Sequence, residues 1–183
     1  MNLSFKFYDK LFWIHNFLPE KTYKSMYVEF IKNRNKLNLE KTKVFWQTFK
    51  EEQDNMSKSY GQKKDKDLNK YLKNYNTLLL HQPFVNFLNF KLNSHLRIYK
   101  YNEHLCWHSD SEENRKYAAT FYFNRTWGES WGGELMFKSS KGSGFIPIVG
   151  NSLVIIKSGL FHKVNSNLKK THPRLSIQTW VSK

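Results

Sequence analysis

The feature that most constrains this chain is a change of rhythm near residue 95. From Leu96 onward the apolar residues leave helical spacing and fall into short alternating runs rich in β-branched and aromatic side chains. LRIYKY, LCWHSD, YAATFYF, GELMFK, GFIPIV, SLVIIK, FHKVN and RLSIQTWV are eight such runs. Seven of the eight glycines lie after residue 125, mostly between them. Eight short antiparallel strands with turn signals predict a jelly-roll sandwich or barrel.

Residues 1 to about 92 read instead as helical, with only Pro19, Gly61 and Pro83 as punctuation. Between Lys21 and Leu37, the residues Tyr23, Met26, Tyr27, Phe30 and Ile31 recur at three- and four-residue steps, after Pro19 and Glu20. A second helix is expected over Glu40 to Ser57, and a short apolar one over Phe84 to Leu92. The charged KKDKD near residue 65 reads as a solvated loop or helix start. The expected class is therefore α+β. Residues 1–95 form a helical region packed on the core, and residues 96–183 form the β-rich part of what is most simply one integrated domain.

Cys106 is the only cysteine, so an internal disulfide and a Cys-rich zinc site are both excluded. No apolar run approaches the roughly 20 residues that cross a bilayer, and the N-terminus shows no signal-peptide pattern. An intracellular, cytoplasmic protein is the simplest expectation. The net charge of +15 makes nucleic acid a possible partner. Against that, lysines outnumber arginines 25 to 5 without a dense basic cluster, which fits biased composition equally well.

The chemistry-bearing pattern begins in LCWHSD. His108 and Asp110 are two residues apart, so on a strand both side chains share a face, with Cys106 beside them and Trp107 opposite. His162, in GLFHKV, is a third ligand available from a distant strand. Two imidazoles and one carboxylate make a facial triad that leaves open positions on a ferrous ion. An isolated His-x-Asp is as compatible with a surface pair, and His104 has the same parity as His108. In RLSIQTW, Arg174, Ser176, Gln178 and Trp180 alternate onto one face. An arginine facing inward needs an anion, and its planar fork suits a carboxylate. A snorkelling rim arginine is the alternative.

Taken together and in order, HSD, YFNRTWGESWGGELMF, FHKV and RLSIQTW resemble the catalytic domain of the prolyl 4-hydroxylase-like 2-oxoglutarate/Fe(II) oxygenases. The likeness is strongest to the EGL-nine type hypoxia-sensing prolyl hydroxylases and their bacterial and viral relatives. It covers residues 96 to 183. It implies a double-stranded β-helix (cupin-like jelly roll) with N-terminal helices buttressing one sheet. It also implies Fe(II) as cofactor, 2-oxoglutarate and O2 as co-substrates, and ascorbate as a supporting reductant. His108, Asp110 and His162 match the iron ligands, and Arg174 matches the residue that pairs with the distal carboxylate of 2-oxoglutarate. Tyr122 matches a tyrosine that helps hold that carboxylate, with Ser176 as an added donor. Trp180 matches a tryptophan near the metal. Tyr101 matches a tyrosine that lines the pocket, with Tyr99 as the competing choice. Gly132 and Gly133 match a structural turn.

Three departures bear on substrate. The tract between Tyr101 and His108 is short and holds His104 where relatives often have glycines. Many collagen-type enzymes use Lys where this chain has Arg174. Nucleobase dealkylases carry a second arginine where this chain has Trp180 and Val181. The expected reaction is hydroxylation of a C–H bond on a peptidyl proline or similar protein side chain, and nucleic acid is the second choice. A non-catalytic jelly-roll binding module is the alternative of another class, which fold alone would not separate.

Overall fold

The computed structural model describes residues 4–33, 39–43, 58–62, 73, 75–77, 79, 89–111 and 114–183. The first two elements correct the sequence reading. Ser4–Tyr8 (β1) and Leu11–His15 (β2) form an antiparallel hairpin, not helix. The run LFWIH is β-branched and aromatic, which suits a pleated surface packed on both sides. Leu11 and Trp13 face one core cluster, while Phe12 and Ile14 face another. Asp9, at φ 49°, takes the left-handed conformation that the tight connection needs.

Glu20–Asn33 (α1) is the expected first helix, starting directly after Pro19. Tyr23, Met26 and Phe30 form its buried stripe. The second expected helix is corrected at its start: Leu39–Lys43 (β3) pairs antiparallel with Lys58–Gln62 (β4). Residues 44–57 and the KKDKD segment lie outside the described residues. The expected helix over Phe84 to Leu92 is corrected at its end, because Lys91–Tyr99 is a strand (β5). Residues 84–88 lie outside the described residues.

From there the expected strands appear in order: Leu105–His108 (β6), Arg115–Tyr122 (β7), Leu135–Ser139 (β8), Gly142–Ile146 (β9), Ser152–Lys157 (β10), Phe161–Val164 (β11) and Arg174–Ser182 (β12). They pair antiparallel into two sheets. The larger has the order β1-β2-β10-β7-β12-β5, and the smaller β6-β11-β8-β9. Strands β5 to β12 thus make the eight-stranded jelly roll, and the N-terminal hairpin extends its larger sheet.

That larger sheet is covered on both faces, which explains the continuous apolar run in β10. Leu153 and Ile155 join the helix-side cluster with Tyr23, Met26, Phe30, Tyr75 and Leu79. Val154 and Ile156 face the smaller sheet, against Leu135, Phe137 and Val164. The expected boundary at 95/96 falls inside β5, and β2 pairs with β10, so the two parts share one sheet. Asn151 ties them further. Its amide accepts from Leu18 N and donates to Leu18 O, both at 2.9 Å.

Candidate active site

The site lies between the sheets, in a cavity whose lining includes His108, Asp110, His162, Arg174, Tyr99 and Trp180. His108 ends β6 and His162 lies on β11. The antiparallel register sets these two residues opposite each other. Their ring centres are 4.2 Å apart, and His162 Nε2 is 3.6 Å from Asp110 Oδ2. Ligand atoms of all three residues lie within 4.8 Å of one another, so the trio can hold one metal ion. Among the described residues it is the only such group, and His104 is not part of it.

Each of the three is tethered by the atom that would not face the ion. His108 Nδ1 is 2.8 Å from Cys106 O, and His162 Nδ1 is 2.8 Å from Leu160 O. A carbonyl can only accept, so both Nδ1 atoms carry the proton and both Nε2 lone pairs are presented to the site. Arg115 Nη1 donates to Asp110 Oδ1 at 2.7 Å, leaving Oδ2 for the cavity. Ser158 Oγ donates to the Asp110 carbonyl at 2.9 Å and fixes the backbone just beyond β6. Burial, then the neighbouring His162, push His108 down to about 4, with Asp110 working against them. Its imidazole is therefore neutral at ordinary pH, the form that ligates.

The other end of the cavity is built from the larger sheet. Arg174 is 2% exposed and opens β12, where Asn124 pins the backbone on either side of it, accepting from Leu175 N and donating to Pro173 O. The guanidinium carbon lies 4.7 Å from the ring centre of Tyr99 and 5.1 Å from that of Tyr122. Arg174 Nη1 reaches Ser176 Oγ at 3.3 Å. Among the described residues no carboxylate pairs with Arg174, and both its Nε and the Tyr122 hydroxyl are buried without a hydrogen-bond partner. Burial raises the Tyr122 phenol, and the Arg174 charge opposes that rise. A buried guanidinium with an unmet Nε, beside a phenol that also lacks a partner, is a donor set suited to a carboxylate. Gly133 has φ 78°, and a Cβ there would press on Ile148 and the Arg174 stem, so the Gly-Gly turn keeps that arginine in place.

The structure brings His108, Asp110, His162, Arg174 and Trp180 around this one cavity, while Tyr122 and Ser176 lie behind it, in contact with the Arg174 guanidinium. Tyr101 is corrected. It sits in the turn after β5, 44% exposed, with the Lys170 ammonium 5.2 Å from its ring centre. Tyr99, 6% exposed, is the tyrosine that lines the cavity, because β5 pairs it directly with Arg174. Sequence reasoning did not single out Arg97 or Arg115. Arg97 shares the alternation of Tyr99, which is a usable signal, whereas nothing local marks Arg115 as the tether of Asp110.

Residues 94–182 match the family model described as the 2OG-Fe(II) oxygenase superfamily. In structure the chain is similar to a Pseudomonas putida prolyl-4-hydroxylase, with a TM-score of 0.72 and 20% identity over 95% of this chain and 92% of that one. It is similar as well to a Trichoplax adhaerens prolyl hydroxylase in complex with a hypoxia inducible factor peptide fragment: TM-score 0.72, 14% identity, covering 95% of this chain and 84% of that one. A Phytophthora capsici prolyl 4-hydroxylase gives a TM-score of 0.63 at 15% identity, covering 94% of this chain and 58% of that one. At these identities the likeness speaks to the fold. No curated protein matches the chain.

Proposed function

We propose that the protein is a 2-oxoglutarate- and Fe(II)-dependent oxygenase, as the family match over residues 94–182 supports, and that it hydroxylates a peptidyl residue, proline first among the candidates. In this reading His108, Asp110 and His162 hold the ferrous ion, and Arg174 with Tyr122 holds the distal carboxylate of 2-oxoglutarate. The peptide substrate draws support from the Trichoplax neighbour, which is itself seen with a peptide.

The donor set fits the ion. Two imidazoles and one carboxylate leave three positions of an octahedron open, as a ferrous oxygenase requires. The partnerless Arg174 Nε and Tyr122 hydroxyl fit the diacid. When bound, these groups supply oxygen activation: one oxygen atom enters the substrate C–H bond, and the other enters succinate as CO2 leaves.

The chain's own residues do the positioning. The Cys106 and Leu160 carbonyls lock both imidazole tautomers. Arg115 holds the carboxylate rotamer of Asp110. Arg174 neutralises a carboxylate where water is excluded, and Tyr122 donates to it. Leu105, Leu135 and Val164 line the same cavity and keep it apolar between its charged ends.

One observation carries the reading: Arg174, buried with an unmet Nε and beside the unpartnered Tyr122 hydroxyl, lines the same cavity as a converging His-Asp-His trio. The test is succinate formation from 2-oxoglutarate by the Fe(II)-loaded protein with ascorbate, with and without proline-containing peptides. Peptide-stimulated succinate and a peptide mass gain of one oxygen are expected. Tight metal binding with no 2-oxoglutarate turnover would instead identify a binding module.

A further inference from the structure

One charged group in the cavity is unused by this scheme. Arg97 lies on β5, paired with Ser176 of β12, and lines the cavity with His108, Asp110 and Trp180. It is 9% exposed. Its guanidinium carbon lies 5.1 Å from the Trp180 ring centre. Among the described residues its side chain makes no hydrogen bond and no salt bridge; burial works against its charge, and Tyr99 and Asp110 favour it only from a distance.

The other guanidiniums at the site are occupied or assigned. Arg115 is bound to Asp110. Arg174 bonds Ser176 and, in the reading above, takes the 2-oxoglutarate carboxylate. Arg97 is the positive charge left over, in a cavity whose one carboxylate is already shared between Arg115 and the metal site. Stacking on an indole satisfies the face of a guanidinium but none of its five N–H donors. Close by, Trp180 Nε1 is also buried without a partner. His95, which meets the Trp180 ring edge-on at 5.2 Å, supplies no anion: burial, then Arg97, hold its imidazole toward the neutral form.

We infer that Arg97 determines substrate specificity by receiving a carboxylate that the substrate carries next to the hydroxylated position. The preferred peptide then has an acidic side chain beside the residue that reacts. This rests on the peptide reading above and adds the chemistry of the neighbouring residue.

The test uses proline peptides that are identical except for Glu, Gln or Lys on either side of the proline. Turnover is read with Fe(II). Binding is read separately on protein loaded with Mn(II) and a non-reacting 2-oxoglutarate analogue. The wild type is expected to favour Glu over Gln by at least about tenfold, the scale of one charge-assisted hydrogen-bonded pair. That preference should lie in KM and in binding, and should weaken with salt. Arg97→Gln should bring the Glu/Gln ratio close to one, and Arg97→Glu should turn the preference toward Lys. If the wild type accepts the peptides without favouring Glu, or Arg97→Gln keeps the preference, the inference is wrong while the peptide reading stands. If no peptide binds or reacts although 2-oxoglutarate is consumed, the peptide reading fails and takes this inference with it. Should either variant not fold, the wild-type ranking and its salt dependence decide alone.

Discussion

The two ends of the cavity are built on opposite principles. At the metal end the protein satisfies its own polar atoms: each imidazole Nδ1 has a carbonyl, and Asp110 Oδ1 has Arg115. At the far end it leaves them open: Arg174 Nε and the Tyr122 hydroxyl are buried with no partner. The first end is preorganised, so the ion finds ligands already aimed and loses little to rearrangement. The second is strained by desolvation until an anion arrives, so ligand binding itself should stabilise the fold.

The sharpest way to break this contrast is His108→Ala. It removes a ligand that nothing else replaces, so turnover should vanish and Mn(II) affinity should fall by more than about 100-fold, read by calorimetry. Circular dichroism should remain that of the wild type. Unchanged metal binding would remove His108 from the ligand set. Arg174→Ala comes next. Loss of a buried charge-assisted pair costs about 2 kcal/mol or more, roughly a 30-fold rise in the 2-oxoglutarate requirement. Metal affinity should hardly move, and 2-oxoglutarate should no longer raise the melting temperature.

Arg115→Ala should give the reverse pattern, with metal affinity falling about 10- to 100-fold as Asp110 loses its tether and a smaller effect on 2-oxoglutarate. Equal losses at both ends would mean that the ends are coupled rather than separate. Tyr122→Phe is expected to be milder, costing about 1 kcal/mol of 2-oxoglutarate affinity. The unliganded protein should be no less stable, because the deleted hydroxyl had no partner. A clear drop in its melting temperature would show that the hydroxyl is already satisfied.

The smallest effect concerns pH. His108 is lowered to about 4 in the folded state, against an ordinary value near 6.5. Between those values the unfolded chain takes up a proton that the folded protein refuses. The metal-free protein should therefore lose stability as pH falls from about 6.5 to about 4, and His108→Ala should flatten that slope in urea melts.

How much of this was legible beforehand depended on distance along the chain. The eight C-terminal strands were readable because alternation and turn residues are local. The pairing of His108 with Asp110 on one face was readable for the same reason. The hairpin β1–β2 was not, because a run as short as LFWIH fits helix and strand equally until a sheet edge is there to receive it. Tyr99 and Tyr101 have the same parity, so alternation could not choose between them. The register that sets Tyr99 beside Arg174, and the turn that carries Tyr101 out to solvent, made the choice.

By itself, then, the order of residues determined which side chains alternate, where turns fall, and that two histidines, a carboxylate and an inward arginine were available. Only the tertiary structure decided which of them meet. It placed His162 against His108, bound Arg115 to Asp110, and left Arg97 facing the cavity without a salt bridge of its own. The reason is physical: facing along a strand follows from the backbone pleat, residue by residue, whereas proximity between strands is set by long-range hydrogen-bond register and by the packing of one sheet on another.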